Sequence, residues 1–267
     1  NRGLSFHSSS RKLDGLNIHS LGFKQIASSG ANLIYLEFKA INRPKTEHFA
    51  YLLNPEETFW HTGKWNNTIN AGIQHRYKYF KGDGLIDLSI RSSSLGSDYQ
   101  YSQLSLKALN KFNIAKFKLK TRIFSQHATG ISIAPESKLY AAGANPEQMM
   151  ENIFTRSTGL ISRDWVSYSS ELNHFHMGGG LNLRAYNGYI MPEGENIQQI
   201  LSFNGTSGVS FSSELEFNDY FSFFRNLNIK TYGFLDMGWI NTNVIDQKLN
   251  LGSFRMDGGI GFSVGIL

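Results

Sequence analysis

The stretch Ala115-Lys116-Phe117-Lys118-Leu119-Lys120-Thr121-Arg122-Ile123 alternates between cationic and uncharged side chains. A period of two is typical of a β-strand, because successive side chains of a strand point to opposite faces. One face of this strand is therefore predicted to carry a basic ladder, formed by Lys116, Lys118, Lys120 and Arg122. Unpaired cations cannot lie in a dry core. The ladder must contact water, either around a soluble sheet or inside a water-filled barrel.

The same alternation recurs along the whole chain, and helical periodicity is almost absent. The clearest further runs are residues 34–40, 68–79, 86–91 and 211–217. Together these runs predict about 12–16 antiparallel strands, many of them as long as a tilted membrane strand must be. The segment 146–152 is the one short candidate for a helix.

The composition is poor in charge without being strongly apolar. Charged residues make up 18% of the 267-residue chain and its mean hydropathy is −0.30, whereas soluble domains carry about 25% charged residues. The 26 Gly, 20 Phe, 12 Tyr and 4 Trp suit strands with one apolar face and aromatic girdles. No stretch approaches the roughly 20 apolar residues of a membrane helix, so a closed barrel is the remaining way to cross a bilayer.

Two architectures fit this alternation, a membrane barrel and a soluble β-sandwich. In the barrel Phe117, Leu119 and Ile123 face lipid, whereas in the sandwich they lie between two sheets. Aromatic residues near the ends of the runs favour the barrel, since Tyr and Trp concentrate at membrane interfaces, although β-propensity also accounts for them. These residues are Tyr79, Tyr99, Tyr101, Trp165, Tyr168 and Trp239. The predicted fold class is all-β, an antiparallel transmembrane β-barrel, with a soluble sandwich binding module as the alternative.

Three segments in the last third of the chain resemble, in order, parts of the surface-antigen barrel superfamily, which includes the BamA-, TamA- and FhaC-type outer-membrane proteins. Residues 178–189 are similar to its loop motif, in which a glycine-rich strand end runs into an Arg-Gly-aromatic tip. Residues 234–239 resemble its aromatic-Asp-x-Gly-x-Trp strand, and residues 254–262 its Arg-x-x-x-Gly-x-Gly strand. The order and the strand-like spacing make the resemblance more specific than any one segment.

The resemblance implies that Arg184 folds back into the barrel lumen, where its planar fork of donors can grip carboxylate or carbonyl groups. The loop motif comprises Gly179, Gly180, Arg184, Ala185 and Tyr186, and the candidate partners of Arg184 are Asp236, Glu214 and Glu216. Ala185 replaces the family glycine, which would strain a backbone that needs a positive φ. From the residues alone, Arg184 could equally be an exposed charge at a hairpin tip.

By the same resemblance, the barrel would assist insertion or translocation of envelope proteins in the outer membrane of a Gram-negative bacterium. A looser resemblance, carried by residues 143–150, 155–157 and 173–176, is to C-terminal barrels of Bacteroidetes envelope proteins, some with an upstream metallopeptidase domain. The alternative function is therefore an anchor that tethers an upstream periplasmic or surface domain, such as a zinc peptidase. Residues 1–267 are expected to be one barrel domain, the C-terminal part of a longer protein, because the chain begins without Met or an export signal.

The sequence contains no recognisable catalytic or cofactor motif. It lacks a nucleophile elbow, a P-loop and a dinucleotide turn, so this chain is predicted not to be an enzyme and to need no cofactor. His174 and His176 share a strand face but have no carboxylate at ligand spacing, so no metal site is predicted. The net charge is +5, but aliphatic neighbours of the basic ladder argue against nucleic acid. The expected partners are outer-membrane lipid and envelope proteins, as cargo or complex subunits.

Overall fold

The computed structural model describes residues 3–13, 16–27, 31–42, 63–140, 144–145, 147–148, 179–183, 190–191, 201–202, 204–224, 227–242 and 254–266. Thirteen β-strands lie in these ranges, and they are numbered here in chain order. They are β1 Gly3–Leu13, β2 Leu16–Ile26, β3 Asn32–Asn42, β4 Trp65–Tyr79, β5 Gly82–Ser93, β6 Gln100–Ile114, β7 Phe117–Ser132, β8 Leu139–Tyr140, β9 Ile190–Met191, β10 Leu201–Ser202, β11 Asn204–Phe224, β12 Leu227–Thr242 and β13 Arg255–Ile266. Among the described residues, no helix is long and apolar enough to cross a membrane.

Ten long strands form one antiparallel sheet in the order β1-β2-β3-β4-β5-β6-β7-β11-β12-β13. Paired strands of this path are therefore consecutive in the chain, except that β7 pairs with β11 across a long connection. Strand β8 pairs with the start of β11, and β9 pairs with β10 in a separate ribbon. Within the described residues no backbone pairing joins β1 to β13. The long strands lie in one sheet instead of two facing sheets, which rules out the sandwich.

The two faces of this sheet have inverted polarity compared with a soluble protein. In β4, for example, Ile69 and Ile73 are 48% and 53% exposed, whereas Thr68, which points to the opposite face, is fully buried. The exposed apolar face continues through Phe23, Leu36, Leu88, Leu104, Ile123, Val209, Leu235 and Phe262. We call this the outer face and the opposite, polar one the inner face. The predicted alternation is confirmed, including the outward direction of Ile123.

Two of the short connections lie at the same end of the sheet. Strands β4 and β5 are joined through Phe80 and Lys81, and β6 and β7 through Ala115 and Lys116. Ala115 has a φ of 49° and Lys116 is exposed in this turn. The prediction that both belong to the strand was wrong, because the chain reverses there, and the basic ladder begins at Lys118. By contrast, 70 or so residues separate β7 from β11, a contrast between short and long connections typical of membrane barrels.

Aromatic side chains gather on the outer face near the short turns. His75, Tyr77, Tyr79 and Phe112 form a continuous stack with ring centroids 6.0–6.2 Å apart. Such a belt is typical of a membrane–water interface, as predicted for Tyr79. Tyr99 and Tyr101 do not belong to it: both are buried and pack against Ala134, because a segment of the long connection covers them from the inside. Trp165 and Tyr168 lie outside the described residues.

Candidate functional site: two segments inside the sheet

Described parts of the long connection after β7 lie along the inner face. These parts include residues 133–140, 144–145 and 147–148, here called the first interior segment, and Gly179–Leu183, here called the second interior segment. Most of their side chains are buried, and Leu181 and Leu183 are fully buried. Because the inner face of the strands is polar, these segments are held mainly by hydrogen bonds and ion pairs.

Glu147 is the most strongly bound side chain of the first interior segment. Lys39 Nζ of β3 lies 2.9 Å from its Oε1, and Arg91 Nη1 of β5 donates a 2.7 Å hydrogen bond to its Oε2. The other terminal nitrogen of Arg91 also donates to Oε1, so the pair is bidentate. Ser137 Oγ donates a fourth hydrogen bond to the carboxylate, to Oε2 at 3.0 Å. Burial raises the pKa of Glu147, but Arg91 and Lys39 lower it more, and the carboxyl's pKa is held well below its ordinary value.

The local sequence explains why Glu147 stands in this position. The backbone N–H of Gln148 donates to Asn145 Oδ1 at 2.9 Å, and the N–H of Asn145 donates to Gln148 Oε1 at 3.1 Å. This reciprocal pair is a capping box that starts a helical turn. Glu147 and Gln148 are helical, in agreement with the predicted helix at 146–152, whose remaining residues lie outside the described part of the chain.

Asn66 joins the first interior segment to β4 and β6. Its side-chain amide donates to Glu136 Oε1 at 2.9 Å and to Ser137 Oγ at 3.0 Å, and Tyr101 donates to its Oδ1 at 3.1 Å. Asn66 is fully buried, so these bonds replace the water that its amide would otherwise contact. The prediction from sequence did not include this cluster, because an isolated Asn in a strand carries no signal of its partners.

Arg122 holds the second interior segment on the opposite part of the sheet. Its Nη2 donates to the carbonyl oxygen of Gly180 at 2.6 Å and its Nη1 to that of Leu181 at 3.2 Å. Ser210 Oγ also donates to the Leu181 carbonyl, at 2.7 Å. The two leucines of this segment pack in an apolar cluster on the inner face. Its members are Phe124, Leu139, Leu181, Leu183 and Ile240.

The two interior segments touch at Gly179. Gly179 has a φ of 93° and Gly180 a φ of 53°, a region that favours glycine. A Cβ on Gly179 would lie 2.8 Å from Gln148 Oε1 and 3.0 Å from the Cα of Ala144. The backbone N–H of Leu181 also donates to the Tyr140 carbonyl at 3.3 Å. The glycine pair therefore allows the two segments to pack against each other.

The basic ladder is neutralised by the next strand. Register places Lys118 opposite Glu216 and Lys120 opposite Glu214 on β11. Lys120 Nζ lies 3.1 Å from Glu214 Oε1 and also contacts Glu216, and Lys118 Nζ lies 4.0 Å from Glu216. The two glutamates, predicted as partners of Arg184, thus pair with lysines. The matching Lys-x-Lys and Glu-x-Glu patterns could have indicated this pairing from the sequence. Only the strand register, however, shows that the two patterns lie side by side.

Asp236 lies on the inner face of β12 and is fully buried. The registers place Arg122, Ser212, Asp236 and Asp257 in one row across β7, β11, β12 and β13. The row places Asp236 two strands from the arginine that anchors the second interior segment, and Arg122 interacts electrostatically with Asp236. Asp236 was predicted to point inward, and it does.

Several predicted residues lie outside the described part of the chain. They are Arg184, Ala185, Tyr186, His174 and His176. Among the residues that the structure describes, no group of three or more His, Asp or Glu side chains could hold a metal ion. The described site is therefore a set of hydrogen bonds and ion pairs that position two backbone segments.

Comparison of the sequence with protein-family profiles and with curated protein sequences finds no match. Solved structures, however, are similar in fold. CdiB from Escherichia coli matches with a TM-score of 0.52 and 13% identity over 97% of this chain. BamA from Haemophilus ducreyi, in a structure lacking POTRA domains 1–3, matches with a TM-score of 0.52 and 14% identity over 96% of this chain.

The chain spans 42% of the CdiB chain and 51% of the BamA chain. At this identity the likeness concerns the fold. The chain has the antiparallel β-barrel fold of these two proteins, and the resemblance to surface-antigen barrels is confirmed at that level.

Proposed function

We propose that this chain is an outer-membrane β-barrel that assists insertion or translocation of envelope proteins. The observation that carries the proposal is the position of the glycine pair Gly179–Gly180, which begins the loop motif. Arg122 binds the carbonyl oxygens of Gly180 and Leu181 on the inner face, and the resemblance to surface-antigen barrels predicts a motif loop inside the barrel. The fold similarity to BamA and CdiB supports the same function.

The exposed apolar outer face supports a location in the membrane. A strand that exposes its apolar side chains and buries its polar ones is unstable in water, because the apolar surface stays hydrated. The same arrangement is stable where lipid covers the apolar face. The partners are then outer-membrane lipid and envelope proteins that pass along or through the barrel. Heat-modifiable gel migration and extraction only with detergent are the expected properties. Extraction in the soluble fraction without detergent would contradict the membrane location.

In this proposal Arg184 reaches the inner row that contains Asp236. The second interior segment ends one residue before Arg184, and Asp236 lies in register with Arg122, which binds that segment. The side chain of Arg184 would thereby gain a carboxylate partner in a region of low dielectric, where such a pair must be complete to be stable.

Depletion of the full-length gene tests the function. We expect broad loss of outer-membrane proteins on depletion, restored by the wild-type gene. Arg184→Ala should complement poorly, whereas Lys118→Ala should complement well, because the ion pair described for Lys118 is a long one, 4.0 Å from Glu216. If depletion leaves the outer-membrane proteins intact and removes only a surface domain of the same polypeptide, the barrel is an anchor and the proposal is wrong.

A further inference from the structure

The first interior segment is bound to β11 through β8 and to β3 and β5 through Glu147, whereas the second is bound to β7 and β11. Glu147 binds Lys39 of β3 and Arg91 of β5, whereas Gly180 and Leu181 are bound by Arg122 of β7 and Ser210 of β11. The segments contact each other through Gly179, Ala144 and Gln148. The two described segments thus link β3 and β5 to β7 and β11 across the interior, and together they are called the interior bridge.

Glu147 and its two cationic partners form a buried anchor of this bridge. The side chains of Glu147, Lys39 and Arg91 are 4%, 6% and 12% exposed, so water competes little for them. Removing one member of a buried ion pair leaves an uncompensated charge, and the loss is then much larger than for an exposed pair. Here one carboxylate satisfies two cations, so loss of Glu147 would leave both Lys39 and Arg91 without that partner.

Among the described residues, the other carboxylates near Lys39 and Arg91 have further partners of their own. Glu37 lies 3.6 Å from Lys39 but also contacts His7, and Glu136 accepts from Asn66. Asp87 lines the same polar cavity of about 700 Å³ as Glu147, and Tyr35 donates to it. Glu147 is therefore the described carboxylate that connects the interior bridge to β3 and β5.

We propose that Glu147 is the positioning residue of the interior bridge: its carboxylate, held by Lys39 and Arg91, keeps both interior segments in place, including Gly179 and Gly180 of the loop motif. Lys39 and Arg91 together bind one carboxylate, and the helical turn that begins at Asn145 places the Glu147 carboxylate between them. The effect on assembly of envelope proteins rests on the proposed function, whereas the effect on the bridge does not.

Cysteine labelling of the purified, folded barrel tests this role directly. The chain has no cysteine, so a single reporter at Ala134, which is fully buried against Tyr99 and Tyr101, gives an unambiguous signal. In Ala134→Cys alone, we expect slow reaction with a water-soluble maleimide. In Ala134→Cys with Glu147→Gln, the labelling rate should rise at least about tenfold, because the bridge opens locally without unfolding of the barrel.

Glu216→Gln is the matched control, because it also removes a carboxylate from lysines of the inner face but contacts neither interior segment. Its labelling rate should equal that of the reporter alone. Should Glu147→Gln fail to give a heat-modifiable barrel, Lys39→Met decides instead. That variant keeps the Arg91–Glu147 pair and should raise the rate by a smaller factor. Unchanged labelling in the folded variant would overturn the role of Glu147.

Complementation of the depleted strain with Glu147→Gln separates this inference from the proposed function. Faster labelling together with reduced levels of outer-membrane proteins supports both. Faster labelling with normal levels retains Glu147 as an anchor of the bridge and overturns its role in assembly. If depletion itself does not lower those levels, the proposed function fails while the labelling result still stands.

Discussion

The guanidinium of Arg122, on β7, donates a 2.6 Å hydrogen bond to the backbone carbonyl of Gly180, 58 residues further along the chain. This bond joins the basic ladder to the first described residues of the loop motif. Arg122 thus differs in role from Lys118 and Lys120, which pair with glutamates of β11. One ladder of cations therefore has two structural roles, and each can be tested by itself.

Arg122→Gln should destabilise the folded barrel by about 2 kcal/mol, because hydrogen bonds from a charged donor contribute roughly 1.5–3 kcal/mol. The stability of Arg122→Lys should lie between those of the wild type and Arg122→Gln, since lysine keeps the charge but lacks the planar fork of donors that reaches both carbonyls. Urea unfolding of the barrel refolded into phospholipid vesicles measures the difference. Lys118→Gln serves as the control on the same strand face. An Arg122→Gln variant no less stable than Lys118→Gln would contradict the anchoring role.

Gly179→Ala should destabilise the barrel by roughly 1–3 kcal/mol, because an alanine at a φ of 93° is strained and its Cβ meets Ala144 and Gln148. Gly233→Ala is the matched control, since a Cβ there meets nothing within 4 Å. The same urea titration compares both variants with the wild type. The packing described between the two interior segments is wrong if both changes have the same small effect.

Ile73→Arg should destabilise the barrel in lipid by roughly 2–4 kcal/mol, the cost of a cation facing the middle of the bilayer. Gln74→Arg, one residue further, points to the inner face and should change the stability by less than about 1 kcal/mol. Equal effects of the two changes in vesicles would show that the outer face of β4 does not contact lipid.

The contact between Lys120 and Glu216 should contribute about 0.5–1 kcal/mol, as measured by a double-mutant cycle with Lys120→Gln and Glu216→Gln. Lys120 is one-third exposed, so salt should screen the interaction, and the coupling energy should fall between 0.05 and about 0.5 M NaCl. A coupling energy that is zero at low salt would place these side chains apart in solution.

The difference in stability between the wild type and Glu147→Gln should depend on pH. The pKa of Glu147 is lowered from its ordinary value of 4.5, so the ionised carboxylate stabilises the folded state. This contribution is complete above the ordinary pKa and is lost as the pH falls below it towards the folded pKa. Unfolding midpoints measured from pH 7 to pH 3 should therefore converge at the acidic end. Midpoints that diverge as the pH falls would contradict the lowered pKa.

The sequence by itself determined the strands and their two faces. Alternation assigned Ile69, Ile73 and Ile123 to one face and Thr68, Asn70 and Arg122 to the other, because side chains of a strand must alternate whatever lies around them. The order of the three resembling segments also predicted the barrel fold. The turn at Ala115 and Lys116 was missed, since a strand pattern can run into a tight reversal without a change in period.

Only the tertiary structure decided which side chains meet. Glu147 is 108 residues from Lys39 and 56 residues from Arg91 along the chain, yet it contacts both. Glu214 likewise contacts Lys120, which is 94 residues away in sequence. Such contacts depend on strand register and on the path of the connection between β7 and β11, and neither is encoded in a local pattern. A buried carboxylate between two cations is stable because the folded chain removes all three groups from water together.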